Sequence, residues 1–140
     1  MKDIINVNWV GDMAFEATID GHHILFDSSP STGGKNAGPR PKPALMASLA
    51  GCTGMDVVSI LKKMKVELSD FNLIVEGTLT EEHPKQYTAM HLTYEFSGAE
   101  LPLDKIQRAI ELSQEKYCGV AATLKKAIDI TYEIKINKPV

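Results

Sequence analysis

Cysteine is scarce in this 140-residue chain, and the two present, Cys52 and Cys118, are too few for the disulfide scaffold of a small secreted domain. Basic residues show no surplus, because Lys+Arg 15 against Asp+Glu 18 leaves a net charge of −3. That excludes a protein built to grip nucleic-acid phosphates, and the 44% hydrophobic content excludes disorder. The start, Met1-Lys2-Asp3-Ile4-Ile5-Asn6, lacks the apolar run of a secretory signal, so a cytoplasmic protein is expected. A Gly-Lys-Ser/Thr phosphate cradle is missing too, although Gly33-Gly34-Lys35 approaches one in composition. The length fits one domain over residues 1–140.

Alternation dominates what is there. Ile5, Val7 and Trp9 share one face of a strand, and Phe15–Ile19 and His22–Phe26 flank Asp20-Gly21, a pair suited to a tight hairpin turn. Residues 1–27 therefore read as an antiparallel meander. Residues 28–41 hold three Gly and three Pro and read as a covering loop. Residues 42–65 read as a helix whose central stretch, 44–60, carries Asp56 as its only charge, with small or apolar residues on every face. Such a helix must be covered on all sides, which calls for a second subunit; it is too interrupted by Gly, Ser and Asp for a membrane span.

A second hairpin spans 71–97, with Met90, Leu92, Tyr94 and Phe96 on one face and His91, Thr93 and Glu95 on the other. Residues 104–127 read as helical, with Leu103, Ile106, Ile110, Ser113 and Tyr117 on one side, Cys118 at the end of the first stretch and Gly119 as its stop. A final strand covers 128–137. The order βββαββαβ gives an α+β fold with antiparallel hairpins.

The candidate chemistry lies with the two cysteines. A thiol becomes a nucleophile as its thiolate, which a nearby cation favours, and Arg40 and Lys42 precede the Cys52 helix. Asp56 follows Cys52 by one helical turn on the same face; beside the thiol it would raise the thiol pKa, and a hydrogen-bonded structural acid is the better role for it. His22 and His23 point to opposite faces of a strand, and no close-spaced ligand pair supports zinc, so no metal is expected. Met46, Met55 and Met64 read as core fillers.

The run Gly38-Pro39-Arg40-Pro41-Lys42-Pro43-Ala44-Leu45-Met46-Ala47-Ser48-Leu49-Ala50-Gly51-Cys52, with Met55–Leu61 and Leu112–Val120, resembles the OsmC/Ohr family, nearest its OsmC-like branch. The resemblance implies an intertwined homodimer, with antiparallel sheets wrapped around two long central helices. It also implies a thiol-dependent peroxidase that reduces organic hydroperoxides, and in some members hydrogen peroxide, in oxidative-stress defence. Cys52 would be the peroxidatic cysteine and Cys118 the resolving one, with an external dithiol as reductant, no cofactor, and no nucleic-acid or membrane partner. Peroxidases of that family pair an Arg from the meander with a Glu ahead of the reactive cysteine. Here residues 4–27 contain neither Arg nor Lys, and Pro41 is followed by Lys42 and Pro43, which leaves Arg40 or Lys42 to serve as activating cation. The alternative is a non-catalytic stress-associated or small-molecule-binding protein of the same fold.

Overall fold

The computed structural model describes residues 1–137, and the chain divides into two compact units, Met1–Leu45 and the remainder from Met46 onward. In the first unit, β1 (Asn6–Gly11), β2 (Ala14–Ile19) and β3 (His22–Phe26) form an antiparallel sheet in that order. The β2–β3 turn is the one its sequence signals: Asp20 has φ 51° and Gly21 φ 79°, the two successive positive values of the tight hairpin turn. The face of β1 with Val7 and Trp9 was expected to be buried, but they are 52% and 66% exposed, and Phe15 of the central strand is 44% exposed, so it is not only the edge strand that is open in the single chain.

The loop after β3 is organised around one carboxylate. Asp27 is buried and accepts the backbone N–H groups of Ser28 (2.8 Å), Lys35 (3.1 Å) and Ala37 (3.1 Å). The Ala37 N–H lowers its pKa most, followed by that of Ser28, with the Lys35 N–H and the nearby Arg40 charge acting in the same direction. Two glycines let the loop close. A Cβ at Gly34 would collide with the Ser28 carbonyl, and one at Gly38 with the Leu25 carbonyl.

The second unit contains α1 (Pro41–Lys63, which starts in the first unit), β4 (Asp70–Leu79), β5 (Tyr87–Ser97), α2 (Leu103–Leu112), α3 (Gly119–Leu124) and β6 (Asp129–Asn137). The sheet order is β4-β5-β6, with β5 in the centre. Expected alternation holds along β5: Met90, Leu92, Tyr94 and Phe96 are buried. Phe71, Leu73 and Val75 of β4 lie beside Phe96, Tyr94 and Leu92, while Ile130, Tyr132 and Ile134 of β6 lie beside Met90, Leu92 and Tyr94. The Phe71 and Phe96 rings stack at 4.4 Å. Over this face pack Leu49, Val57 and Leu61 of α1 and Ile106, Ala109 and Ile110 of α2.

Three expectations need correction. The second sheet is mixed, not antiparallel, because β6 runs parallel to β5; the connection through α2 and α3 is a crossover, which returns the chain in the same direction. Gly119 is not a helix stop but the first residue of α3; the break falls at Cys118, whose φ −74° and ψ 100° are extended. Nor is α1 buried all round within one chain. Its buried stripe is Leu49, Thr53, Val57 and Leu61, successive turns of one face, whereas Leu45, Met55 and Val58 are 46%, 75% and 47% exposed. Met46 and Met64 pack against the core as expected, but Met55 does not.

At 23 residues, with an 18-residue stretch of mean hydropathy 1.6, α1 is long and apolar enough to cross a membrane by length and composition alone. Leu49, Val57 and Leu61 of its buried stripe join the core of the second unit.

The Gly38 contact is testable. Gly38→Ala sets a methyl group against a backbone carbonyl that has no rotamer to escape into, and the expected loss is about 1–3 kcal/mol. Urea denaturation measures it; an unchanged midpoint would show that the loop yields without cost.

Candidate functional site

Helical spacing puts Cys52 and Asp56 one turn apart on α1. Their partner is supplied by an irregularity between α2 and α3. After Leu112 the chain widens into a π-helical turn over Ser113–Tyr117, closed by the Cys118 N–H donating to the Ser113 carbonyl at 2.8 Å. Cys118 then caps α3: its carbonyl accepts the Ala122 N–H at 3.0 Å, and its sulfur the Ala121 N–H at 3.4 Å. Lys125 Nζ donates to the Gln114 carbonyl at 2.7 Å, tying α3 back to the widened turn.

The sulfurs of Cys52 and Cys118 and a carboxylate oxygen of Asp56 all lie within 4.8 Å of one another. Sequence separation of 66 residues between the cysteines is thus closed by the fold. Cys118 is buried, and Cys52 is half-buried. Burial is the main cause that pushes the Cys118 thiol up from 9.0 to about 11; the Ala121 N–H pulls the other way, while Cys52 and the Asp56 charge push it further up. The effect of Asp56 was expected at Cys52; the thiol whose pKa its charge helps to raise is Cys118.

Asp56 is also the hydrogen-bonded acid foreseen from sequence. Ser113 Oγ donates to Asp56 Oδ2 at 2.9 Å. A carboxylate only accepts, so it commits the Ser113 proton, and the Thr53 hydroxyl must then donate to Ser113 Oγ at 2.7 Å. Tyr94 OH in turn donates to Thr53 Oγ1 at 2.7 Å and accepts from Gln114 Nε2 at 2.8 Å. One direction of donation therefore runs Gln114, Tyr94, Thr53, Ser113, Asp56. Thr53, Tyr94, Ser113 and Gln114 are all buried, and no buried side-chain polar atom among the described residues lacks a partner. Burial raises the Tyr94 pKa, which keeps its hydroxyl a donor.

Arg40 and Lys42 lie in the first unit. Arg40 Nη1 donates to Asn36 Oδ1 at 2.9 Å and to the Gly38 carbonyl at 3.0 Å, while Lys42 is exposed in the first turn of α1. Two of the four histidines meet carboxylates. His23 is 3.4 Å from Glu16, and His91 is 3.4 Å from Glu133 and 2.7 Å from Thr131. Thr53, Tyr94, Ser113 and Gln114 were not singled out in the sequence as a polar network. The one available signal was a Thr beside Cys52 on the face of α1 that also carries Leu49 and Val57.

An α+β protein with a dithiol lodged between a core helix and a broken second helix is the class that fold and site define. The chain belongs to the OsmC-like protein family, whose model matches residues 33–133. Protein YhfA of Escherichia coli (strain K12) is 34% identical over 131 residues, 93% of this chain and 95% of that protein. A hypothetical protein from Aquifex aeolicus VF5 shares the fold with TM-score 0.82 at 27% identity, covering 98% of each chain. An organic hydroperoxide resistance protein OsmC from Legionella pneumophila has the same fold with TM-score 0.69 at 17% identity, over 96% of this chain and 97% of its own.

The two thiols should differ in reactivity. With Cys118 held near 11 instead of 9.0, its thiolate fraction at neutral pH is about a hundredfold below that of an unperturbed thiol. Iodoacetamide near neutral pH should modify Cys52 first, with Cys118 gaining reactivity only as the pH climbs toward 11, as read by peptide mass spectrometry. Equal labelling of both at neutral pH would contradict the site as described.

Proposed function

We propose that this protein is a cytoplasmic thiol-dependent peroxidase that reduces organic hydroperoxides, in which Cys52 is the peroxidatic and Cys118 the resolving cysteine. The observation that carries this reading is the placement of one half-buried and one buried thiol with sulfurs within 4.8 Å. A disulfide needs an S–S distance of about 2.05 Å, so closure asks for a modest rotation of the two side chains and the adjoining break at Cys118. Family membership, and the names of neighbours such as the organic hydroperoxide resistance protein from Legionella pneumophila, support the same chemistry.

In the cycle the Cys52 thiolate attacks the O–O bond of ROOH; the S–O bond forms, the O–O bond breaks, and the released alkoxide takes a proton to leave as ROH. Cys52 is then a sulfenic acid. The Cys118 thiol condenses with it, its proton leaving with the hydroxyl as water, and the S–S bond forms. An external dithiol reduces that disulfide by thiol exchange and is itself oxidised. Arg40 and Lys42 are the proposed activating cations for Cys52, replacing the Arg and Glu of the family's peroxidases.

Stopped-flow consumption of cumene hydroperoxide with a dithiol reductant tests this. Wild type should turn over and Cys52→Ser should fall to the background rate, about a hundredfold or more slower. With the dithiol omitted, Cys118→Ser should complete one reduction and stop at the sulfenic acid. If wild type is no faster than Cys52→Ser, the peroxidase reading fails.

That outcome would favour the second reading, a non-catalytic small-molecule-binding protein. Two observations speak for it. The Asp56 charge opposes thiolate formation at Cys118, and an open, mainly apolar groove of about 600 Å³, lined by Gly51, Gly54, Met55, Val58, Phe71 and Leu73, runs beside α1.

Both readings carry a homodimer. The face of α1 that bears Met55 and Val58 is apolar and exposed in the single chain, as are Trp9 and Val10 of the meander. Sedimentation should return twice the 15.4 kDa chain mass, and a single-chain mass at micromolar concentration would reject the dimer.

A further inference from the structure

Two thiols and a carboxylate converge where peroxide chemistry asks for a cation. The Asp56 charge helps to raise the Cys118 pKa, yet the same charge stabilises a bound divalent metal. We infer that Cys52, Asp56 and Cys118 form a divalent metal site of the zinc class in the reduced protein. The inference does not depend on peroxide turnover, since it concerns binding by the reduced thiols.

The geometry fits. Tetrahedral zinc bound through sulfur at about 2.3 Å and carboxylate oxygen at about 2.0–2.2 Å keeps two sulfur ligands about 3.8 Å apart. The three donor atoms here lie within 4.8 Å of one another, so a contraction of about 1 Å or less brings them to that spacing. The side chains can supply it, because Cys52 and Asp56 are each half-buried and Cys118 lies at the extended break between helices. Two of the ligands come from one face of α1 at the i, i+4 spacing that helices use for paired metal ligands. The expectation of no metal followed from the lack of a close-spaced Cys or His pair; the spacing exists, but its second member is an aspartate.

The outer shell is also suited to the task. Ser113 Oγ donates to Asp56 Oδ2 at 2.9 Å and stands at the end of the buried donor chain, so the carboxylate is oriented before a metal arrives. The Ala121 N–H, 3.4 Å from the Cys118 sulfur, plays the same part for that ligand. Binding displaces one proton from each thiol. Two thiolates, one carboxylate and a dication sum to a charge of −1, and with three protein ligands the fourth position goes to water on the open side of Cys52.

The test uses the reduced, chelator-treated protein titrated with Co2+, a probe of zinc sites. One equivalent per chain should produce the near-ultraviolet thiolate-to-cobalt charge-transfer band with the visible bands of tetrahedral Co2+, and Zn2+ should abolish both. Cys52→Ser and Cys118→Ser should each weaken the charge-transfer band and the affinity. Asp56→Asn should retain the thiolate band while weakening affinity about tenfold or more. Protein oxidised to the Cys52–Cys118 disulfide should give no band. Circular dichroism of each variant distinguishes lost ligation from lost folding, and Asp56→Ser provides a second probe if Asp56→Asn is unfolded. No thiolate band in the wild type, or Asp56 variants that are folded and bind as tightly as the wild type, would overturn the inference.

Discussion

Thr53 sits with its hydroxyl 2.7 Å from both Tyr94 OH and Ser113 Oγ, in the middle of an otherwise apolar stripe on α1. Leu49, Val57 and Leu61 press α1 onto the sheet without directional preference, because apolar burial tolerates rotation and sliding of a helix. The Thr53 hydroxyl removes that freedom. Left unpaired in the core it would cost about 1–3 kcal/mol, so the helix must present it to the tyrosine of β5 and the serine after α2 together. Once α1 is fixed about its own axis, Cys52 and Asp56 face the α2–α3 junction. The juxtaposition of the three reactive groups depends on a threonine that takes no part in their chemistry.

The same network sets the electrostatics. Asp56 accepts from Ser113, and each hydroxyl behind it is committed to donate toward the carboxylate. Chains of this kind polarise in one sense and hold the negative charge where it is. A charge so placed adds to burial in working against ionisation of Cys118, and together with Cys52 they raise its pKa to about 11. The two thiols thus differ in setting: Cys52 is half-buried, and Cys118 is buried with its pKa raised.

Local rules carried much of the fold. Asp20-Gly21 announces its turn because both residues must take positive φ, and β5 announces its faces because side chains alternate along a strand. What was misread depends on distant partners. Gly119 follows a helix and resembles a stop, but the tie between Lys125 and Gln114 and the widened turn allow the next helix to begin there. The parallel pairing of β6 depends on which strand the crossover reaches. In the site, Cys52 and Asp56 were legible through helical spacing, whereas Thr53 meets Tyr94 and Gln114 across 41 and 61 residues, and no periodicity links them.

Two uses of one thiol pair exclude each other, and that exclusion is a consequence of electron counting. A disulfide sulfur has lost the thiolate charge that binds a zinc-class cation, and a metal-bound thiolate has its nucleophilic lone pair engaged. In the proposed cycle and metal site, oxidation by a peroxide would therefore release the metal, and the metal would shield Cys52 from oxidation until it dissociated. Asp56 bears on this balance through Cys118, whose pKa its charge helps to raise, while a cation at the proposed site would be favoured by that charge. An acid that raises the pKa of Cys118 hinders ionisation of that thiol in the proposed peroxidase cycle, whereas in the proposed metal site the same charge would stabilise the cation-bound form.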